Sequence, residues 1–497
     1  MANAVTANLM PEVTAYLESG PLGGVIGGKQ AASSDKNTFR TIDPGTREVL
    51  AEVHAMQPDD VHRAVWAAAD AFAHSGWATL SPNDRGVLLH RLADAVEKRK
   101  KIIAQIESLD AGKVYAQAEW DVQNFVDTLR YFTNLALQVE HQTAIAVAHH
   151  EAWTVRHPWG PCAFIFPWNF PFMLAGWGAA PALAAGNTVV IKPAEDTPLS
   201  TIYLGRLAAE VGIPDGVINV IPGFGEVTGA ALAAHPGIKR MSFTGSPEVG
   251  RLVAAACGRN LVPVKLELGG KGAAVVLDDV DVPQAAARLT EAITFHSGQV
   301  CCDATRWLVH RKIYAPFVEA CVEQMKKVLV GYQLDPATQM GPVVSEKQKE
   351  RVLGYLRQGQ ATGAKVVLEG GEATVPGKNG FYVRPALLAG SLDNVAAQEE
   401  IFGPVAYLTS FSDDDEAVQM ANHTDYGLAN SVWSSDPARA CKIADAMIVA
   451  NAWINAHNVF PHGVPYSGIN KSGMGGGVLS IQTLHDYYRT MSLVRPL

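Results

Sequence analysis

The sequence lacks the features that mark exported chains. Its six cysteines are spread over 497 residues, which does not resemble the disulfide framework of a small secreted domain. No Lys or Arg occurs among the first twenty-eight residues, so the basic region of a secretory signal is missing. We therefore expect a protein of the reducing cytoplasm.

Acidic residues outnumber basic ones over the whole chain. The formal net charge is -9, and no basic run is dense enough to act as an arm. Such a field repels a polyanion. The sequence therefore argues against nucleic acid as a partner.

Charge is absent altogether between residues 157 and 191, a length that would cross a bilayer. Five prolines interrupt this stretch, and Asn169 and Asn187 would need partners that lipid does not supply. We expect buried structure of a globular protein and no association with a membrane.

Apolar runs alternate with helical patterns along the chain. The chain is longer than one hydrophobic core usually organises, so we expect at least two domains. Amphipathic helices are predicted over 59–77 and 82–109, the second opened by Ser81 as N-cap. Further helices are predicted over 199–211, 227–234, 313–330 and 347–362, between strands at 188–191, 217–221, 240–243, 273–277, 307–309 and 366–369. The pattern predicts two parallel sheets wrapped by helices, with a boundary at 269–272.

Two segments read as exposed sheet edges. Residues 143–156 alternate poorly, and residues 488–494 are short and partly apolar. Either edge would need cover from another subunit. The sequence therefore favours an oligomer.

Two adjacent thiols, Cys301 and Cys302, follow an apolar helical stretch that ends in glycine. A thiol has an ordinary pKa of about 8.5, so it reacts well at neutral pH where its surroundings stabilise the thiolate. The alternative interpretation is that both are buried small apolar residues.

A carboxylate, Glu267, lies within an otherwise apolar strand-like run. Burial raises the pKa of a carboxyl group, which suits a general base. The alternative is an ion pair with Lys265 or Lys271 on a solvated turn.

Polar residues that suit an oxyanion or a nucleotide occupy three further segments. Asn169 lies between aromatics and prolines, where its amide is aimed at an oxyanion or caps a turn. Lys192 and Glu195 follow a strand at the carboxyl edge of a parallel sheet, where nucleotides bind. A Glu there holds ribose hydroxyls and repels a 2′-phosphate, which favours NAD over NADP.

Ser246 is predicted to cap a helix whose free amides face a pyrophosphate. The glycines at 223, 225 and 229 follow a strand, although their spacing is not that of the dinucleotide fingerprint.

Taken together and in this order, six segments resemble the aldehyde dehydrogenase superfamily over almost the full length. The segments are Pro167-Trp-Asn-Phe-Pro, Lys192-Pro-Ala-Glu, Phe243-Thr-Gly-Ser, Leu266-Glu-Leu-Gly-Gly-Lys, Gly298-Gln-Val-Cys and Glu400-Ile-Phe-Gly-Pro-Val. The family's nucleophile is the second residue after the glutamine of the Gly-Gln pair, which is Cys301 and not Cys302.

The resemblance implies a role for each residue. Asn169 and the backbone amide of Cys301 form the oxyanion hole, and Glu267 activates the hydrolytic water. The implied NAD contacts are Lys192 and Glu195 at the adenosine ribose, Ser246 and Trp168 near the pyrophosphate, and Glu400 and Phe402 at the nicotinamide, with Ile165, Gly225, Gly245 and Val249 as further contacts. No metal ligand is assigned.

The resemblance also implies the fold class, which is α/β with two doubly wound parallel-sheet domains and a small oligomerisation element. Residues 1–139 and 159–270 would form the NAD-binding domain, 271–475 the catalytic domain, and 140–158 with 476–497 the oligomerisation element. A homodimer or homotetramer is expected.

The implied reaction is oxidation of an aldehyde to an acid through a thiohemiacetal and a thioester on Cys301. The presence of Glu267 argues against the coenzyme A acylating and phosphorylating branches. Many relatives carry a Lys after Trp177 and an Arg-Glu pair after the late glycine run, where this chain has Gly178, Gly476 and Gly477. The proton route must therefore differ, with water in place of those side chains or Glu267 acting alone.

Four aromatics map to the family's substrate tunnel, namely Phe170, Trp177, Phe295 and Phe460. They favour an apolar or aromatic aldehyde, the alternatives being ordinary core packing or a small polar aldehyde. His457 and His462 are candidates for contact with a polar substituent. Outside aldehyde oxidation, the alternatives are a structural protein that reuses the fold or a redox sensor in which Cys302 resolves an oxidised Cys301.

Overall fold

A computed structural model describes residues 9–497; residues 1–8, with which the predicted cofactor domain begins, lie outside the described residues. The described strands are β1 (Gly24–Ile26), β2 (Lys29–Ala31), β3 (Thr38–Ile42), β4 (Val49–His54), β5 (Gln142–Val147), β6 (His150–Pro158), β7 (Pro161–Ile165), β8 (Thr188–Lys192), β9 (Ile218–Val220), β10 (Arg240–Thr244), β11 (Val264–Glu267), β12 (Gly272–Val276), β13 (Ala304–His310), β14 (Lys365–Leu368), β15 (Gly371–Glu372), β16 (Val383–Arg384), β17 (Ala386–Ala389), β18 (Val405–Phe411), β19 (Ala429–Trp433), β20 (Asn451–Ile454), β21 (Gly473–Met474) and β22 (Tyr488–Pro496).

The α-helices lie between these strands. They are α1 (Pro11–Leu17), α2 (Pro58–His74), α3 (Pro82–Lys98), α4 (Lys100–Ala111), α5 (Tyr115–Ala136), α6 (Pro171–Ala184), α7 (Leu199–Glu210), α8 (Ala230–Ala233), α9 (Pro247–Arg259), α10 (Val282–Thr294), α11 (Tyr314–Lys327), α12 (Glu346–Ala361), α13 (Val395–Gln398), α14 (Asp414–Ala421), α15 (Pro437–Asp445) and α16 (Ile481–His485).

Two large sheets carry the fold. The first has the order β2-β1-β9-β8-β7-β10-β11-β21 and is parallel from β9 to β11. The second has the order β14-β17-β18-β13-β12-β19-β20 and is parallel except for β14. Each sheet buries apolar side chains on both faces against helices. The predicted doubly wound α/β class is confirmed.

The first sheet passes to the second at the predicted glycine-rich stretch. Strand β11 ends at Glu267 and β12 begins at Gly272. Parallel pairing places the carboxyl ends of β7, β8, β10 and β11 at one edge of the first sheet. Side chains that follow these strands therefore meet at this edge.

A third, separate sheet contains the two predicted edge segments. Strand β6 pairs antiparallel with β5 on one side and with β22 on the other. Apolar side chains including Ile145, Val147 and Val494 are exposed on it. An exposed antiparallel sheet of this kind is typical of a surface that pairs or packs with another chain.

One predicted helix is wrong in extent. The pattern over 82–109 predicts a single helix, whereas α3 and α4 are separate and Arg99 between them has non-helical backbone angles. The break lets α4 change direction and enter the core, where residues 103–111 are buried on every face. The predicted N-cap is confirmed, because the Ser81 side chain accepts a hydrogen bond from the amide of Asp84.

The uncharged stretch 157–191 forms β6, β7, α6 and β8, and most of it is buried. Across residues 9–497, no helix is both long and apolar enough to cross a membrane. Within the stretch, Asn187 is fully buried and finds the partners it needs. Its Oδ1 accepts from the amide of Gly160 at 3.0 Å, and its Nδ2 donates to the carbonyls of Ala182 at 3.1 Å and Tyr487 at 2.9 Å.

Replacing this amide tests how strongly the C-terminal segment is held to the first sheet. We expect Asn187→Ala to lower the free energy of unfolding by about 2–4 kcal/mol, because buried backbone groups lose their partners. Urea unfolding followed by tryptophan fluorescence measures the change. The exposed Asn83→Ala is the control, and an equal effect in both variants would contradict the role given to Asn187.

Candidate active site

A cavity of about 1020 Å³ lies between the two large sheets. Both sheets contribute to its lining, since Glu267 lies at the end of β11 and Cys301 precedes β13. Of the residues assigned from the sequence, those that line it are Cys301, Glu267, Asn169, Trp168, Gly245, Ser246, Glu400, Phe402, Phe170, Trp177, Phe295 and Phe460. The others, Ile165, Lys192, Glu195, Gly225 and Val249, do not line this cavity.

The two adjacent thiols have different surroundings. Cys301 is partly exposed to the cavity, whereas Cys302 is buried with its Sγ 3.3 Å from Oδ1 of Asn458. Hydrogen bonds from the Cys302 thiol and the Tyr466 hydroxyl hold the pKa of Cys301 below its ordinary value, although burial opposes them. Burial raises the pKa of Cys302 well above its ordinary value. Cys301 is therefore the more nucleophilic thiol.

A tight turn delivers Cys301 to the cavity. Helix α10 ends at Thr294, and His296, Ser297 and Gly298 all have left-handed backbone angles. A Cβ on Gly298 would lie 2.3 Å from the backbone of Gly403, so this position requires glycine. The Ser297 hydroxyl donates to the carbonyl of Gly341 at 2.8 Å and fixes the turn.

The Glu267 carboxyl group is buried and unpaired. Glu267 is 7% exposed, and neither of its carboxyl oxygens has a hydrogen-bond partner among the described residues. Burial raises the pKa of Glu267 well above its ordinary value, against the attraction of Lys265. The alternative of an ion pair on a solvated turn is wrong, because Glu267 is buried, the Lys265 ammonium makes no hydrogen bond to it, and Lys271 donates to the carbonyl of Ala396.

The amide of Asn169 is held in place beside the thiol. Asn169 is buried, and its Nδ2 donates to the carbonyl of Gln299 at 3.0 Å, two residues before Cys301. One hydrogen on Nδ2 makes this bond, which leaves the other for a second acceptor. The arrangement suits an oxyanion donor.

Aromatic rings form the wall beyond Cys301. Phe170 and Phe295 stack with centroids 6.3 Å apart, and Trp177 meets Phe460 at 5.4 Å. Sequence reasoning missed Tyr466, whose ring lies 5.3 Å from that of Phe460. Tyr466 lies far along the chain from the recognised motifs, so no sequence pattern pointed to its place in the site.

The two predicted histidines differ in position. His457 lines the cavity, where its Nε2 lies 2.8 Å from the carbonyl oxygen of Cys302. Burial lowers the pKa of His457 to about 4, so the ring is neutral at physiological pH. His462 instead contacts the Thr128 hydroxyl at 2.9 Å and does not line the cavity.

A second cluster of predicted residues lies at the carboxyl edge of the first sheet. The Lys192 ammonium donates to Oε2 of Glu195 at 3.0 Å, and the amide of Gly225 reaches Oε1 of Glu195 at 3.4 Å. Ile165 is the register partner of Lys192. Burial lowers the pKa of Lys192, and the neighbouring carboxylate opposes that shift. The pair therefore presents one fixed carboxylate at the position where a ribose binds in such sheets.

The N-terminus of α9 lies beside this edge. Ser246 caps the helix by accepting from the amide of Val249, and Pro247 begins it, so the predicted cap is confirmed. Val249 is exposed. A Cβ on Gly245 would lie 2.6 Å from the Phe243 ring, which keeps the backbone before the helix free of side-chain bulk. A helix start of this kind attracts a phosphate group.

Glu400 lines the cavity from the segment between α13 and β18. Its Oε1 accepts from the amide of Gly270 at 2.9 Å, and burial raises the pKa of Glu400 to about 7. The rings of Trp168 and Phe402 meet edge to face with centroids 5.2 Å apart. Phe402 has a left-handed backbone, with φ at 62°.

Of the three glycine departures, Gly178 lines the cavity, whereas Gly476 and Gly477 do not. A Cβ on Gly178 would lie 2.7 Å from Cζ of Phe166, and one on Gly476 would lie 2.4 Å from Oδ2 of Asp486. For Gly477, a Cβ would lie 2.5 Å from the carbonyl oxygen of Tyr466. A side chain at any of these positions would require its neighbours to move. Over residues 9–497, no group of three or more His, Cys, Asp and Glu is arranged to hold a metal ion.

A partly exposed thiol and a buried carboxyl group across one cavity are typical of an enzyme that forms a covalent intermediate on cysteine. Residues 31–493 match the aldehyde dehydrogenase family. The chain belongs to this family, as the sequence resemblance predicted.

Individual relatives agree with this assignment. Retinal dehydrogenase 2 of Gallus gallus is 39% identical over 472 residues, covering 94% of this chain and 90% of the relative. An NAD+ complex of aldehyde dehydrogenase from Bacillus cereus is 35% identical with a TM-score of 0.95, covering 98% and 99% of the two chains. Betaine aldehyde dehydrogenase from Staphylococcus aureus is 32% identical with a TM-score of 0.94, covering 98% and 96%.

The difference between the two thiols is open to direct measurement. We expect iodoacetamide at pH 7 to alkylate Cys301 before Cys302, because the pKa of Cys301 is lowered and that of Cys302 raised. Fragmentation mass spectrometry of the peptide that contains both residues assigns the site. Cys301→Ala should lose the fast alkylation, and faster labelling of Cys302 in the native protein would contradict the assignment.

Proposed function

We propose that this protein oxidises an apolar or aromatic aldehyde to the carboxylic acid with NAD as cofactor. Membership of the aldehyde dehydrogenase family supports the reaction class. The observation that carries the proposal is the partly exposed Cys301 thiol, which shares one cavity with the unpaired carboxyl group of Glu267.

The residues at the edge of the first sheet fit a dinucleotide. Glu195 would hold the adenosine ribose hydroxyls beside Lys192, and the free amides after Ser246 would face the pyrophosphate. Ile165, Gly225, Gly245 and Val249 are the further contacts proposed for this end of the cofactor. The relative from Bacillus cereus is described as an NAD+ complex. The Glu195 carboxylate disfavours a 2′-phosphate, so we propose NAD rather than NADP.

The nicotinamide end would lie against Glu400, Phe402 and Trp168, beside the cavity that contains Cys301. When bound, NAD supplies the acceptor for the hydride that leaves the substrate carbon. Glu400 is fixed by the amide of Gly270 and orients this end.

Acylation begins at Cys301. The thiolate adds to the aldehyde carbon, and the carbonyl electron pair moves to oxygen, which gives a thiohemiacetal. The free hydrogen on Nδ2 of Asn169 and the backbone amide of Cys301 hold the oxyanion. Return of that electron pair with departure of hydride leaves a thioester on Cys301.

Hydrolysis completes the cycle. Glu267 accepts a proton from water while the water oxygen bonds to the thioester carbon, and the C–S bond then breaks. Acid is released and the Cys301 thiolate returns. The buried, raised pKa of Glu267 suits a base that operates near neutral pH.

The aromatic wall sets the substrate class. Rings of Phe170, Trp177, Phe295 and Phe460 line the approach to Cys301, and such a surface favours an apolar or aromatic chain. A relative named retinal dehydrogenase 2 acts, by its name, on an apolar aldehyde. Because another relative is named betaine aldehyde dehydrogenase, quaternary ammonium aldehydes should be tested as substrates beside apolar ones.

We propose that residues 140–158 and 476–497 act as an oligomerisation element and that the protein is a homodimer or homotetramer. The exposed β5, β6 and β22 sheet supports this proposal.

We further propose that residues 1–139 and 159–270 form the NAD-binding domain and that residues 271–475 form the catalytic domain. All six cysteines are free, which supports a reducing cytoplasm.

Aldehyde oxidation is tested with a substrate panel. We expect purified protein to form NADH with aromatic or long aliphatic aldehydes at a kcat/KM at least about tenfold above that for small polar ones. Cys301→Ala should form none, while Cys302→Ala should keep turnover at a reduced rate, because it leaves the nucleophile in place but removes a hydrogen bond that favours the Cys301 thiolate. Absorbance at the NADH band is the readout. Turnover by Cys301→Ala, or preference for a polyol or phosphate-bearing aldehyde, would contradict the proposal.

Cofactor choice is tested at Glu195. We expect Glu195→Gln to raise kcat/KM for NADP relative to NAD by about tenfold or more, because a carboxylate no longer opposes the 2′-phosphate. Steady-state kinetics with each cofactor measure the ratio. Glu210→Gln, on the surface at the end of α7, is the matched charge control, and an unchanged ratio in Glu195→Gln would refute the role of this residue.

A further inference from the structure

A second buried charge lies beside Glu267 on the same strand. Lys265 is 2% exposed, and its ammonium group has no hydrogen-bond partner among the described residues. Residues two apart on a strand project from the same face, and both side chains line the same cavity as Cys301. A buried ammonium group without a partner is costly, so its retention calls for a function.

Among the described residues, Lys265 is the cation that acts on the Glu267 carboxyl group. Gly178 on α6 presents no side chain, and a Cβ there would collide with Phe166. Pairing of β11 with β21 places Gly473 opposite Glu267. The neighbouring Tyr466 is buried with a pKa raised well above its ordinary value, so it stays neutral.

A second pair of opposite charges acts on Lys265. Arg240 on β10 lies 3.7 Å from Oδ2 of Asp486, which follows α16, and the Asp486 side chain is 19% exposed. That Oδ2 atom makes no hydrogen bond in the described chain. The charges that act on Lys265 are thus Glu267, Arg240 and Asp486. Those that act on Glu267 are Lys265 and Cys301. Two carboxylates, Glu267 and Asp486, and two cations, Lys265 and Arg240, thus interact electrostatically, and the Asp486 side chain reaches solvent.

Building on the proposed hydrolysis by Glu267, we propose that Lys265 is a positioning residue that sets the ionisation of this base and passes its proton outward. The Lys265 ammonium releases a proton through water toward Asp486 and solvent, and the resulting amine takes, through water, the proton that Glu267 has accepted from the hydrolytic water. No atom or electron is left unbalanced, because one proton enters and one leaves.

The electrostatics of the pair agree with this role. Burial lowers the pKa of Lys265 and raises that of Glu267, while their mutual attraction opposes both shifts. The two groups are thereby brought toward equal proton affinity, a condition that favours transfer in either direction. Sequence reasoning considered Lys265 only as a partner of Glu267 on a solvated turn.

The test compares pH profiles of kcat for wild type, Lys265→Met and Lys265→Arg. Glu267 must be ionised to act, and loss of the neighbouring cation raises its pKa. We expect Lys265→Met to shift the midpoint of the kcat profile upward by about one to three pH units. Lys265→Arg should keep the wild-type midpoint but have a lower plateau, because a guanidinium group does not release its proton.

Two further readouts exclude a merely structural effect. The first-turnover burst of NADH precedes thioester hydrolysis, so its amplitude and rate should be unchanged in Lys265→Met. Combined with Glu267→Gln, the same substitution should slow turnover no further, because its effect acts through the base. Thermal unfolding and NAD binding by tryptophan fluorescence check that each variant is folded.

An unchanged midpoint in Lys265→Met, a lost burst, or additive losses in the double variant would overturn the proposal. If Lys265→Met does not fold, Lys265→Arg decides alone, and a wild-type plateau in that variant would overturn proton transfer. Failure of the wild type to form NADH with any aldehyde would refute the proposed function itself. If the wild type is active and Lys265→Met has the same kcat profile as the wild type, only the role of Lys265 is refuted.

Discussion

The glycine linker between β11 and β12 allows the two large sheets to approach at the one place where the chemistry needs them together. A Cβ on Gly269 would lie 2.3 Å from the Glu400 carboxyl group, and one on Gly270 would lie 2.3 Å from the carbonyl oxygen of Cys301. Only backbone fits in these gaps. Because the backbones pack so closely, the end of β11 with Glu267 and the loop with Cys301 line the same cavity. The proposed base therefore lies on the first sheet, and the proposed nucleophile lies just before a strand of the second.

Burial gives this shared cavity its chemistry. An unpaired carboxyl group in such a place resists ionisation, while hydrogen bonds favour the thiolate at Cys301. The same low polarity strengthens each remaining charge interaction, so a single ammonium group at Lys265 acts strongly on Glu267. At the edge of the first sheet, by contrast, Lys192 and Glu195 satisfy each other. Paired charges there suit binding, whereas unpaired charges in the cavity suit proton transfer.

Local sequence patterns predicted the parts whose structure depends on neighbours in the chain. The strand-like run that contains Glu267 and the Ser246 cap follow from sequence pattern and capping rules, and the structure contains both. Contacts between distant segments were beyond such rules. Tyr466 lies 165 residues from Cys301, and the break at Arg99 depends on how the core accepts α4. The spacing of Lys265 and Glu267 predicts a common face, but the open space behind them depends on where Gly178 and β21 pack.

The most direct test of the account is the intact mass of Glu267→Gln after incubation with NAD and an aromatic aldehyde. If Cys301 is the nucleophile and Glu267 the base for hydrolysis, this variant should accumulate a thioester, with the mass of one acyl group mapped to Cys301. An adduct on Cys302 would contradict the assignment of the nucleophile. Rapid turnover with no adduct would contradict the assignment of the base.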